Sequence, residues 1–530
     1  MAWLALAVAG GLNGTPALAQ TETVVQGTLQ LQWGDPSRAL PGTSRAAPQL
    51  RVFLDQGPRQ RHELDATQAR RAAGDLYVLA NRRVAVSLSS PGRVMSSAPA
   101  VTAIVPADRL AMEAPVAGAD GRIMAAAPVL GSTRWITLMC KFSDIATEQK
   151  PRDYFQAQYG NAPGQLGHYW SQVSYGKVNL AGSAAHGWYS LPSPRAEYLK
   201  VVNGKNKAEL SRLFADCAAA ADAEVDFSGV QGVNLMFNGE LDGYAWGGGA
   251  CTTLDGTYVC TRVTWNPPWS FNNLSPLAHE MGHGYGLPHS DNADGDSDTY
   301  DNPWDLLSDA WRYAATDATY GTLPKHLNMY QRDRLGWVDA ARKLTVPAGN
   351  QDSMLVTLDA GSVAGSPHVQ LVVLAMPAQP DPYRTVIYTL EARRRTGTYE
   401  ARLAGDAVII HRLENYGIAY SVDTDVPVAD ISGNEGSMLK VGEAWGTPDD
   451  AHWVQVVSAT ADGFVVRVGP RPRSMSSPSQ VLVKPSPVTA ASRPPAAATP
   501  ATAVPRLQVA RGRCAGKRGL SRLLALCDVR

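Results

Sequence analysis

The chain has 530 residues, enough for about three or four structural units. Apolar residues make up 45% and charged residues 18%, so packed cores can be filled throughout. Lys+Arg and Asp+Glu are 48 each, which excludes both the basic excess of a nucleic-acid binder and the acidic bias of a disordered chain.

Residues 1–19 read as an export leader. Residues 1–11 are small and apolar, and Ala17-Leu18-Ala19 before Gln20 fits a small-x-small cleavage site, although no Lys or Arg precedes the run. Gly10, Gly11, Asn13, Gly14 and Pro16 break it too early for a membrane span, and no other stretch has the ~18 unbroken apolar residues one needs. A secreted or periplasmic location is expected. In an exported chain the six cysteines suggest up to three disulfides. Cys251 and Cys260 flank an Asp255-Gly256 hairpin signal and should pair. Cys514 and Cys527 sit together near the end, which leaves Cys140 with Cys217.

Residues 20–130 alternate apolar and polar in short runs, as in Leu29-Gln30-Leu31-Gln32-Trp33. They predict a small β-domain with one short helix near residues 66–73, ending in an Ala/Pro-rich linker at 112–130. Residues 131–340 mix both patterns. The segments 151–160, 164–176 and 205–225 read as helices, 134–142 and 232–239 as buried strands, and 243–249 as an exposed, glycine-rich strand. Residues 341–469 return to short strands and predict a sandwich or barrel. Residues 470–505 are a Pro/Ser/Ala-rich linker, and residues 506–530 a basic tail.

The chemistry concentrates in Ser275-Pro276-Leu277-Ala278-His279-Glu280-Met281-Gly282-His283-Gly284-Tyr285-Gly286-Leu287-Pro288-His289. Ser275 suits an N-cap and Pro276 the first helical position. His279 and His283 are four apart, so both imidazoles leave one helical face and can share an ion. Gly286 can take positive φ and turn the chain so that His289 returns to the same ion. Three imidazoles with an open water position suit a catalytic zinc, Zn2+, and Glu280 stands where a carboxylate can act as base without ligating.

These residues, HExxHxxGxxH, resemble the metzincin zinc endopeptidases. Together with the runs at 167–192, 300–308, 327–338 and 388–413, they look most like the gametolysin group and its immune-inhibitor-A-like relatives. The resemblance covers about residues 134–468. It implies a multidomain α+β protein: a zincin-type catalytic domain of twisted mixed sheet plus long helices, flanked by N-terminal and C-terminal β-domains. It also implies hydrolysis of protein or peptide substrates, with Glu280 moving the proton and His279, His283 and His289 holding zinc. An extended substrate is expected along an edge strand, for which residues 243–247 are the candidate. One departure stands out: Leu307 occupies the position where metzincins carry a Met in a tight turn under the zinc. Asp309 stands where some carry a tyrosine ligand, so no such ligand is expected.

Several features are given plainer readings. Asp291, Asn292, Asp294, Asp296 and Asp298 offer oxygen ligands at short spacing, as calcium (Ca2+) requires, but no Glu closes an EF-hand loop and a polar turn is expected. His168, His186, His326, His368, His411 and His452 are expected to pack or face solvent, and Glu391, Arg393 and Arg394 to form ion pairs. The N-terminal region is a candidate propeptide that blocks the cleft, or else a permanent part of the enzyme; no cysteine lies in residues 20–139, so a thiolate from that region cannot cover the zinc, whereas an acidic residue could. The rival functions are a zinc amidase of narrow specificity and a secreted binding protein with an inactive site. The C-terminal β-domain is a candidate surface for substrate or cell binding.

Overall fold

A computed structural model describes residues 21–38, 45–90, 99–109, 127–295, 298–377, 386–414, 417–425 and 435–472. The expected leader, most of both linkers, the basic tail and the Cys514–Cys527 pair lie outside them. The protein is α+β, built mostly of sheets with a few helices. No described helix is long and apolar enough to cross a membrane.

The N-terminal part contributes β1 (Thr21–Pro36), β2 (Gln49–Asp55), β3 (Arg61–Leu64), β4 (Arg83–Ser90) and β5 (Ala100–Pro106). Its helix α1 (Ala66–Ala73) falls where the sequence placed it, capped by the Asp65 carboxylate on the Gln68 N–H. Short β6 (Gly131–Ser132) precedes β7 (Trp135–Lys141), and β8 (Val178–Asn179) precedes β9 (Ala184–Ser190). The hairpin β10 (Leu199–Val202) and β11 (Lys205–Ala208) leads on to β12 (Gly232–Phe237), β13 (Tyr244–Leu254) and β14 (Thr257–Asn266).

One ten-stranded mixed sheet runs β3-β2-β1-β13-β14-β12-β7-β9, with β4 on β1 and β5 on β4. The N-terminal strands therefore continue the sheet of the following segment rather than closing on themselves. Strand β1 makes this possible by its length: its first half pairs with β4, and residues 32–36 pair with β13.

Side-chain alternation along β7 and β12 divides the core. Ile136, Leu138, Val233 and Leu235 face α4 (Leu210–Ala221), while Trp135, Met139 and Met236 face the opposite group of helices. That group is α2 (Arg152–Gln158), α3 (Leu166–Val173), α5 (Pro268–Phe271) and α6 (Leu274–Gly284). The helix expected across 205–225 is shorter, because residues 205–208 form β11. The two longest helices, α4 and α6, lie on opposite faces rather than together above one cleft. The Cys140–Cys217 disulfide ties α4 to the Leu138 face, and Cys251–Cys260 joins β13 to β14. Both pairs match the expected pairing.

Beyond residue 340, two sheets face each other. The six-stranded one contains Ile387–Arg393 and Ala407–Glu414; the four-stranded one contains Trp453–Ala459 and Gly463–Gly469. Leu374, Leu390, Ile410, Val456 and Val466 fill the space between. The larger sheet also takes in Asp291–Asn292, paired with Tyr420 and Ser421, so this sandwich holds the loop just past His289.

Candidate metal centre

Helix α6 lies on β13 so closely that a Cβ on Gly247 would meet the Glu280 carbonyl at 2.3 Å. The helix begins at Leu274, with Asn273 at its cap position. Ser275 is not the cap expected from sequence: its Oγ donates to the Ala310 carbonyl at 2.6 Å, tying the helix start to the segment that follows the turn at 302–308. Gly286 adopts φ +87°, and the Gly286 and Leu287 N–H groups bond back to His283 and Gly282. That turn brings His289 back over α6.

The three histidines converge. His279 Nε2 lies 3.1 Å from His283 Nε2, which lies 3.2 Å from His289 Nε2. The Nδ1 atoms of His279 and His283 each lie 2.7 Å from a carbonyl, Leu306 O and Leu287 O respectively. A carbonyl can only accept, so both Nδ1 atoms carry the proton and both Nε2 atoms present bare lone pairs. Two lone pairs at 3.1 Å have no proton to share and repel. A cation between them removes the conflict, and tetrahedral zinc with bonds of about 2.0–2.1 Å sets its nitrogens about 3.3 Å apart. The donor set fits such an ion. Burial also pulls the His283 imidazole down to about 3 and lowers His289, which keeps both in the neutral, ligating form.

A fourth group completes the cluster. Asp35, near the end of β1, sets Oδ1 2.7 Å from His289 Nε2 and 3.4 Å from His279 Nε2, with Oδ2 3.3 Å from His283 Nε2. The Tyr300 hydroxyl donates to Oδ1 at 2.6 Å, and the Trp33 ring stacks on His283 at 4.8 Å. These four residues form a buried cluster able to hold a metal ion. The other such group among the described residues is Asp55, Cys251 and Cys260, and its two cysteines are joined in a disulfide.

Glu280 is 1% exposed, and its Oε2 has no hydrogen-bond partner among the described residues. Burial, with the Asp35 charge adding to it, pushes this carboxyl well above its ordinary value. Leu307 lies against Gly282 of α6, where apolar volume supports the helix from below. The turn carrying it is fixed by Asn302 Oδ1 on Trp304 N–H and Asp305 Oδ1 on Leu307 N–H, and by Arg393 on Trp304 O at 2.6 Å. Asp309 is spent on the Trp311 and Arg312 N–H groups. In the loop after His289, Asp291, Asn292 and Asp298 accept backbone N–H groups, as a polar turn requires; Asp296 lies outside the described residues.

Two expectations change. Residues 243–249 are not an exposed strand, because β1 covers them and Ala245 and Trp246 are fully buried. Nor is β13 an edge: it lies between β1 and β14. Sequence reading also missed Asp35, Trp33 and Tyr300, since a single Asp in an alternating strand carries no local sign of a partner far along the chain. Comparison with protein-family models gave no match, and comparison with curated proteins gave none either.

Proposed function

We propose that the chain is an exported zinc endopeptidase of the metzincin type, acting on extracellular proteins. The observation that carries this reading is the convergence of three imidazole Nε2 atoms beside buried Glu280, whose Oε2 has no hydrogen-bond partner among the described residues. A zinc ion held by His279, His283 and His289 would polarise a scissile carbonyl and acidify a water molecule. Glu280 accepts a proton from that water and passes it to the leaving amine. The Leu306 and Leu287 carbonyls keep His279 and His283 in the ligating tautomer. The two disulfides are compatible with an extracellular location.

A second reading has one observation in its favour. Asp35 makes a four-ligand set, as closed structural sites have, which would suit a metal-holding binding protein. Against it, a closed site has no use for Glu280, a buried carboxyl whose unpaired burial is costly.

The test measures zinc content and hydrolysis of an unstructured protein, before and after brief limited proteolysis, for the wild type and Glu280→Ala. One zinc in both, with hydrolysis falling about a hundred- to ten-thousand-fold in the variant, is the expected result. Zinc with no hydrolysis in any sample would favour the binding protein. Folded protein without zinc would sink the site. The narrow amidase would spare general proteins and cleave only a small set of amides.

A further inference from the structure

The ten-stranded sheet extends past α4. Beyond that helix, β2 and β3 turn Arg51, Phe53, Arg61 and Glu63 to the same side, while Val52, Leu54 and Leu64 enter the N-terminal core on the other. Across from the first four stands the hairpin β10–β11, with Lys200, Lys207 and Val202 on one face. Between the two surfaces lies a cleft of about 440 Å3, to which the start of α4 also contributes. Two carboxylates line it, and both are already met: Glu63 by Lys207 at 3.1 Å on each oxygen, and Glu209 by Lys200. Of the arginines, Arg51 pairs with Asp242, and Arg212 with Glu197 and Asp216. Arg61 is different. Its guanidinium lies on the Phe53 ring at 3.5 Å, and its Nη2 is shielded from solvent with no hydrogen-bond partner among the described residues. Asp55, the carboxylate that acts on it most, takes the Tyr258 hydroxyl with both oxygens. Burial pulls the guanidinium down to about 10, so its charge is held there at a cost. Ser211 Oγ, also in the cleft wall, is likewise shielded and without a partner among the described residues. It sits in the first turn of α4, which has no capping side chain to take its leading N–H groups.

We infer that this cleft is a binding site for a tetrahedral oxyanion, a phosphate or sulfate group. The donors come from three elements: Arg61 from the sheet, Lys200 from the hairpin, and Ser211 with the leading N–H groups from α4. A carboxylate offers two oxygens in one plane. Phosphate and sulfate spread theirs in space, as donors arriving from three elements require. Phe53, Val202 and Leu210 add apolar wall beside the donors, and a cleft of about 440 Å3 is the size of a small-molecule site rather than of a bare ion. An ester carried on a sugar-sized body therefore fits as well as the free ion. An occupant bonded to Arg61 and to α4 ties the N-terminal strands to the middle of the chain, so binding raises thermal stability. The cleft shares no residue with the metal centre and does not depend on it.

The experiment titrates the full chain with inorganic phosphate, inorganic sulfate and glucose 6-phosphate, by calorimetry and by thermal unfolding, against sodium chloride at equal ionic strength. The expected result is saturable binding of an oxyanion, with a rise in midpoint that chloride does not give. Arg61→Gln weakens the binding about tenfold or more. Lys200→Gln, at a side chain 67% exposed, weakens it about two- to fivefold. Glu209→Gln removes a like charge beside the start of α4 and tightens binding about twofold or more, a gain that a damaged fold does not produce. Equal affinity for the free ions and the ester assigns the site to the oxyanion group alone. A tighter ester shows that the apolar wall holds the body that carries it. No saturable binding by any of the three, or binding that is the same in wild type, Arg61→Gln and Glu209→Gln, overturns the site.

Discussion

At the scale of single residues, the centre divides into what has a local signature and what does not. His279, Glu280, His283, Gly286 and His289 fall within eleven positions, and helical geometry plus one turn suffices to gather them. Asp35 and Tyr300 reach the same point from β1 and from the loop past His289, and only the tertiary fold joins them. Leu307 tests how far the turn beneath the helix depends on its unusual residue. Its contact with Gly282 is apolar, so Leu307→Met exchanges similar volumes. Metal content should stay unchanged and unfolding free energy should move by less than about 1.5 kcal/mol, read by urea titration and metal analysis. His283→Ala should differ in kind. It removes one of three converging donors, so chelator-sensitive thermal stabilisation present in the wild type should vanish.

At the scale of elements, the sandwich strand Ile387–Arg393 reaches into the support of the candidate metal centre. Arg393 is buried between Glu391 and Glu400 and donates to Trp304 O, while Glu391 accepts the Met329 N–H at 2.8 Å. The ion pairs were legible as a cluster of charges on an otherwise apolar strand. Their reach to the turn at 302–308 was not, because pairing patterns do not say which loop a buried charge will meet. Arg393→Met leaves two buried carboxylates without their partner and should cost about 3–5 kcal/mol, measured by chemical denaturation. The neighbouring His411 sets a pH dependence. Burial, with Arg393 nearby, pulls its imidazole down to about 3 from an unfolded value near 6.5. The unfolded chain then binds the extra proton, so stability present above about pH 6.5 is lost as pH falls toward 3, by at most about 1.4 kcal/mol per unit. Urea midpoints between pH 7 and pH 4 should fall less steeply in His411→Leu than in wild type.

At the scale of the whole molecule, the strand-rich ends and the mixed middle were readable from alternation, and the shared sheet was not. Alternating residues specify a face to bury, not the strand that will lie alongside, and β1 and β4 look equally able to close a small separate domain. What lets β1 lie along β13 is Gly248, where a Cβ would meet the Leu31 carbonyl at 2.0 Å, while Gly247 makes the same room for the backbone of α6. The disulfides separate by the loops they close. Cys140–Cys217 spans 77 residues and Cys251–Cys260 spans 9. Chain-entropy reasoning assigns about 4.5 kcal/mol to the first and about 2.7 kcal/mol to the second. Replacing each pair by alanines should therefore lower the denaturation midpoint more for Cys140 and Cys217, with calorimetry giving the order.

The pairing of β1 with β13 also sets an order in time. Asp35 is synthesised 254 residues before His289, and at about 5–20 residues per second it waits roughly 10–50 s for its neighbour. For most of that interval, until residues 244–254 are made, a sixteen-residue strand carrying Leu29, Leu31 and Trp33 has no β13 to lie against. Such a strand invites pairing with another copy of itself. A cell producing this chain must keep its first strand apart until its middle arrives, and nascent chains halted before residue 244 should be the form that aggregates.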